Sequence, residues 1–176
     1  VRGYSLDGHK FIRDAARAGA SAAIAQYPTE NIPVPQAIVE HVRATQAAMA
    51  AEFFEHPSKA LKVIGVTGTN GKTTSTFMIE SILRAANLRT GLVGTLYNMS
   101  DGKIMPTVNT TPDSILFQRL LLDMVHKGVS HVSMEVSSHA MVMHRVDQTL
   151  FRAGAVTNFS QDHLDLHRDM EDYLQA

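Results

Sequence analysis

Lys72 closes the stretch GVTGTNGK, with an apolar run ahead of it and two threonines and an amphipathic segment behind. A phosphate chain is best gripped by several backbone N–H groups converging on it, and convergence favours residues without a β-carbon. Gly68 and Gly71 meet that need, and Thr69, Asn70 and Thr74 complete the loop. Lys72 would then reach the terminal phosphates, and the Thr73 hydroxyl would ligate the magnesium that travels with them. The strict pattern G-x-x-x-x-G-K-[ST] is not met, because its first glycine falls on Val66 while glycines stand at 65 and 68. Strand, glycine loop and helix in that order still predict a nucleotide triphosphate site, against the plainer reading of a glycine-rich turn.

Three further groups could do chemistry. Glu135 ends the run HVSME, where parallel-sheet nucleotide enzymes place the acid that orders magnesium; the alternative is a surface glutamate at a strand end. Asp162, His163, Asp165 and His167 follow another predicted strand and could supply hard-cation ligands or their partners, or lie on a plain surface. His163 is the one assigned a functional role. The run NTTPD puts Asn109, Thr110 and Thr111 at a helix start, a good seat for a small anion, or else ordinary capping.

These residues need a scaffold. LKVIGVT reads as a buried strand leading into the loop, and TTSTFMIESILRAAN as a helix with Phe77, Ile79, Ile82 and Leu83 on its apolar face. TGLVGTL is a strand and YNMSDGKIMP a hairpin turning at Asp101-Gly102. TTPDSILFQRLLLDMVHKG is a helix capped by threonine, with proline first and a Gly128 stop. SHVSMEV and RAGAVTNF are two more buried-strand candidates, and Met124, Met134, Met141 and Met143 read as core filling. Upstream, DGHKFIRDAARAGA is a helix stopped by Gly19, SAAIA and QAIVE are strands, and HVRATQAAMAAEFFEH is a helix stopped by Pro57. Strands alternating with helices predict an α/β fold with a parallel sheet covered on both faces. Residues 1–58 are expected to be the remnant of a smaller α/β domain and 59–176 an incomplete central domain.

Composition narrows the field. The 176 residues carry 16 basic and 17 acidic side chains, so no global field draws the chain to nucleic acid or an anionic membrane. There is no cysteine, which excludes a disulfide scaffold and thiolate zinc sites. No apolar run approaches a membrane span of about 18 residues. A soluble cytoplasmic protein is expected, without membrane insertion. The chain starts at Val1 and ends inside a predicted helix, so a fragment is expected.

GVTGTNGKTT, NTTPD, MEVSSHA followed by HR, and TNFSQDHLDLH, in that order and spacing, resemble the Mur ligases, and within them the MurE-type tripeptide synthetases of peptidoglycan synthesis. The resemblance covers essentially the whole chain. TGTNGKT alone identifies only a superfamily that includes folylpolyglutamate and cyanophycin synthetases, which remain the alternative. The resemblance implies that Lys72 and the loop hold ATP, that Thr73 and Glu135 bind one Mg2+, and that Glu135 with His163 binds a second. It assigns Asn109, Thr110, Thr111, Ser137 and Arg145 to a UDP-muramoyl dipeptide, and Tyr4, Ser5 and Leu6 to its uridine. Met143 stands where some members carry a substrate-contacting glutamine. The implied reaction is ATP-dependent amide formation through an acyl phosphate, adding meso-diaminopimelate or L-lysine, in an enzyme expected to be a monomer. The chain by itself is expected to bind nucleotide without completing ligation. A GTP-dependent switch is disfavoured, since no N-K-x-D or D-x-x-G stretch occurs.

Overall fold

A computed structural model describes residues 6–161 and 168–175. They pack as two compact units, Val1–Gln46 and Ala47–Ala176.

In the first unit the predicted opening helix is split. Asp7 Oδ1 accepts from the His9 backbone N–H (3.0 Å) and from His9 Nδ1 (2.6 Å), which winds Gly8–Phe11 into a 3-10 turn before α1 (Ile12–Arg17) begins. Phe11 is half exposed instead of facing a core. Tyr27 donates its hydroxyl to the other Asp7 oxygen and stacks on the His9 ring at 3.8 Å between centroids. His9 Nε2 accepts from Gln26 N (3.2 Å), so its proton sits on Nδ1, facing Asp7. Hydrogen bonds from Tyr27 and His9 hold the Asp7 carboxyl well below its ordinary range. β1 (Ala23–Ala25) and β2 (Gln36–Ile38) pair in parallel. α2 (Val42–Phe53) begins in this unit and ends in the second, where the chain leaves it through left-handed Glu55 and His56 just before Pro57.

The second unit runs β3 (Lys62–Thr67), α3 (Lys72–Ala85), β4 (Thr90–Val93), β5 (Asn98–Ser100), β6 (Lys103–Met105), α4 (Ser114–His126), β7 (His131–Glu135), α5 (Ser138–Val142), β8 (Phe151–Val156) and α6 (Met170–Gln175). Its sheet has the order β6-β5-β4-β7-β3-β8. The four strands β4, β7, β3 and β8 are parallel, and the β5–β6 hairpin adds an antiparallel edge. The hairpin turns at Asp101-Gly102, as expected, and Arg89 ties the turn down through Asp101 (2.6 Å).

Side chains of β7 alternate between two covered faces. Val132 and Met134 share a core with Phe117, Leu121 and Met124 of α4, all with no exposed surface. Ser133 and Glu135 face the other way, where Ser133 Oγ donates to Thr76 O of α3 (3.0 Å). Each fully buried apolar side chain of that core contributes about 1.5–3 kcal/mol.

Three expectations are corrected. α3 does not bury its apolar stripe: Thr76 and Glu80 are inside while Ile82 is 67% exposed. The buried polar pair is satisfied, Thr76 Oγ1 donating to Thr73 O (2.8 Å) and Thr90 Oγ1 to Glu80 Oε1 (2.8 Å), which removes the penalty for enclosing them. The residue capping α4 is Asp113, whose carboxyl accepts from Ile115 N and Leu116 N, so Thr111 is free for other work. Finally, β8 is the edge strand and largely exposed, not buried. Among the described residues no helix is long and apolar enough to cross a membrane.

Candidate functional site

Strands β3, β4, β7 and β8 all deliver their carboxyl ends to one rim of the sheet, the usual ligand edge of parallel α/β architectures. The glycine loop leaves β3 there. Gly68 and Gly71 have φ of 124° and 85°, conformations that a side chain would strain. Gly71 precedes α3 without any side chain capping the helix, so the first-turn N–H groups from Lys72 onward stand available to an anion, aided by the positive end of the helix dipole. Lys72 Nζ folds over the loop, donating to Gly68 O (2.6 Å) and Thr69 O (2.9 Å).

Glu135 ends β7 opposite Val66 of β3 and is 1% exposed. Its Oε2 accepts from Thr73 Oγ1 (2.8 Å) and Thr95 Oγ1 (3.1 Å), and its Oε1 accepts from Thr95 N (2.8 Å). Gly94 makes this seat: a β-carbon there would overlap Glu135 Oε1 and stand 3.3 Å from its Cδ. Thr95 Oγ1, its one proton given to Glu135, also lies 3.0 Å from the Thr110 hydroxyl, linking the carboxyl to the NTTPD segment. Fully buried Thr111 donates its hydroxyl to Glu135 O (2.8 Å) and accepts from Ser137 N (3.3 Å). Arg145 Nη1 donates to Thr111 O (2.9 Å), and Nη2 reaches Met143 Sδ at 3.4 Å, so Met143 supports the guanidinium.

The result is a cleft of about 450 Å³ lined by Thr69, Asn70, Gly71, Lys72, Thr73, Thr95, Thr110, Thr111, Glu135, Ser137, His139 and Arg145. Two cationic side chains face one carboxyl across a wall of hydroxyls and amides, a lining suited to a phosphorylated, acidic ligand. The oxygens of Thr73 and Glu135 lie 2.8 Å apart and are hard donors of the kind that could hold a cation such as Mg2+. Among the described residues no three of His, Cys, Asp or Glu cluster as a larger metal centre.

Other predicted site residues fall elsewhere. Thr74 is exposed on the first turn of α3, outside the cleft. Asn109 lines a neighbouring groove of about 480 Å³ with Asn98, Leu116 and Arg119. Ser137 borders the cleft, but its hydroxyl caps α5 by accepting from Ala140 N (3.2 Å). Leu6 is exposed in the first unit. Tyr4, Ser5 and His163, together with Asp162, Asp165 and His167, lie outside the described residues.

Sequence reasoning missed Gly94 and Thr95, which seat Glu135, and Thr157, Asn158 and Ser160, which touch the glycine loop. All lie within four residues of the carboxyl end of β4 or β8, and a glycine or polar residues just past a strand end were the available signal.

Known proteins resemble this chain in sequence and in fold. The pattern described as the Mur ligase middle domain matches residues 66–176. The chain is 47% identical over 176 residues to the UDP-N-acetylmuramoyl-L-alanyl-D-glutamate--2,6-diaminopimelate ligase of Aquifex aeolicus, covering 100% of this chain and 36% of that protein. It is 43% identical over 177 residues to the ligase of the same name from Caldanaerobacter subterraneus, covering 100% of this chain and 37% of that one. The chain therefore spans little more than a third of the length of the curated relatives it matches. A solved structure of a UDP-N-acetylmuramoyl-L-alanyl-D-glutamate--2,6-diaminopimelate ligase superposes with a TM-score of 0.77 at 28% identity, over 95% of this chain and 34% of that one. The MurF ligase of Thermotoga maritima in complex with ADP shares the fold, with a TM-score of 0.61 at 24% identity, over 99% of this chain and 37% of that one. The middle-domain pattern runs from the last residues of β3 through the glycine loop and Glu135, and on these grounds the chain belongs to the Mur ligase family.

Proposed function

We propose that this chain is the nucleotide-binding part of an ATP-dependent ligase that adds 2,6-diaminopimelate to UDP-N-acetylmuramoyl-L-alanyl-D-glutamate, a step of peptidoglycan precursor synthesis. The observation that carries the reading is the convergence of Lys72, Thr73, Glu135 and Arg145 on one cleft at the carboxyl ends of the strands. The names of the full-length relatives support the substrate and the amino acid. In this reading residues 1–58 belong to a UDP-substrate domain, with Tyr4, Ser5 and Leu6 toward the uridine, and 59–176 to the ATP-binding central domain. Acting as a cytoplasmic monomer is part of the same reading and rests on the resemblance alone.

The substrate's glutamyl carboxylate attacks the γ-phosphorus of ATP, the bond to the ADP oxygen breaks, and an acyl phosphate forms. The incoming amine then attacks the acyl carbon, inorganic phosphate leaves, and the amine gives up a proton as the amide forms. Phosphoryl transfer asks the protein mainly for placement and charge neutralisation. The α3 amides and Lys72 hold the phosphate tail, and Arg145, braced on Thr111 O, orients the attacking carboxylate. Bound to Thr73 and Glu135, with His163 toward a second ion, Mg2+ would neutralise the phosphate oxygens. Asn109, Thr110, Thr111 and Ser137 complete the substrate side.

In the complete protein, Lys72→Ala is expected to abolish ATP turnover measured by phosphate release, with UDP-muramoyl dipeptide rather than a folate stimulating the parent. Near-normal turnover by the variant, or stimulation by folate alone, would overturn the reading.

A further inference from the structure

The glycine loop is not held by Lys72 alone. Of its amides, Thr69 N donates to Asn158 O (3.0 Å) and Asn70 N to Asn158 Oδ1 (3.0 Å), so two of the N–H groups expected to meet phosphate are already taken. Asn158 Nδ2 returns a bond to Asn70 O (2.8 Å), and one side-chain amide thereby grips both ends of a single residue. Thr157 Oγ1 lies 2.6 Å from Asn70 O and 3.1 Å from Thr67 O, and with one proton to give it favours the nearer carbonyl. At Thr69 the hydroxyl meets Ser160 O (3.1 Å), Ser160 N (3.0 Å) and the Tyr173 hydroxyl (3.2 Å).

The same contacts reassign Gly68. Its missing β-carbon would point at Thr157 and Asn158, overlapping Thr157 Oγ1 and standing 2.8 Å from Asn158 O. Gly71 by contrast has nothing nearer than 3.9 Å in that direction. Gly68 is therefore bare so that the segment after β8 can dock, not so that phosphate can approach.

We propose that Thr157 and Asn158 are positioning residues of the phosphate loop: by occupying the Thr69 and Asn70 amides and the Asn70 carbonyl, they confine a nucleotide's terminal phosphates to the α3 amides beside Lys72. The proposal rests on the nucleotide reading above. Asn158 is exposed, so its bonds add little to global stability, and their effect falls on the geometry of two glycine-flanked peptides that otherwise have wide conformational freedom.

The test uses the complete protein with Asn158→Ala, Thr157→Val and Thr157→Ser. ADP affinity is measured by calorimetry, KM for ATP and for the amino acid by steady-state kinetics, and the melting temperature by calorimetric scan. Asn158→Ala and Thr157→Val are expected to weaken ADP and raise KM for ATP by about tenfold, the weight of one well-made hydrogen bond. KM for the amino acid and the melting temperature should hold, and Thr157→Ser, which keeps the hydroxyl, should bind like the parent. Parent-like ADP binding by Asn158→Ala, equal impairment of Thr157→Ser and Thr157→Val, or a parallel fall of every parameter would overturn the positioning role. A parent protein that binds no ADP would instead overturn the nucleotide reading itself, and the positioning role with it.

Discussion

Gly94→Ala offers a severe test of how Glu135 is held. The added methyl overlaps Glu135 Oε1 and crowds its Cδ at 3.3 Å and Cγ at 3.5 Å, so the carboxyl must swing away. It cannot swing freely, being 1% exposed and fixed by Thr73 Oγ1, Thr95 N and Thr95 Oγ1. Leaving the seat breaks the Thr95 N bond and strains a second. At about 1.5–3 kcal/mol for a bond to a carboxyl group, the total is about 2–5 kcal/mol. That free energy is lost from the alignment of the Thr73 and Glu135 oxygens, so it should be read where those oxygens act. The assay is calorimetric ADP binding by the complete protein with and without Mg2+. The gain in affinity on adding Mg2+ should fall by about thirtyfold or more, a shift of about 2 kcal/mol, while metal-free binding changes little. Gly154→Ala is the control, because nothing lies within 4 Å of its added methyl. A Gly94→Ala protein that keeps its Mg2+ gain within about twofold would refute the argument that this glycine seats the carboxyl.

Two further outcomes follow from the packing. Phe117→Ala, at a position with no exposed surface under the parallel strands, should cost about 3–5 kcal/mol in urea unfolding, and a loss under 1 kcal/mol would contradict the core described. The Asp7 carboxyl, held below the ordinary aspartate value of 3.8 by Tyr27 and His9, stabilises the first unit fully above that pH and loses its contribution as pH falls toward the lower folded-state value. Asp7→Asn should therefore flatten acid unfolding below about pH 4, followed by tyrosine near-UV circular dichroism, and superposable acid profiles would remove the role assigned to this cluster.

The parts of the fold that were legible are those whose causes are local. Gly71 before Lys72, the Asp101-Gly102 turn and the apolar run ending at Glu135 each carry their reason within a few residues. α3 departs from its apolar pattern because Thr76 and Glu80 are buried by partners outside the helix, Ser133 of β7 and Thr90 of β4, that helical periodicity cannot see. Thr111 looked like a cap because the nearby Asp113, which does the capping, competes for the same local signal. Its true partner, Glu135 O, comes from another strand. The clasp on the glycine loop was invisible for the same reason: Thr157 and Asn158 reach Asn70 only after β8 has paired with β3.

The pairing of Val66 with Glu135 ties chemistry to assembly. Successive residues of β7 point to opposite faces, so sliding this strand one position against β3 would carry the acid into the oily layer beneath α4 and bring a methionine or valine to the rim. A molecule whose strands have annealed out of step would thus be both unstable and inert, and substitutions within β7 should lose folding and phosphate release together. Substitutions in the loop, by contrast, can silence a molecule that is still perfectly folded.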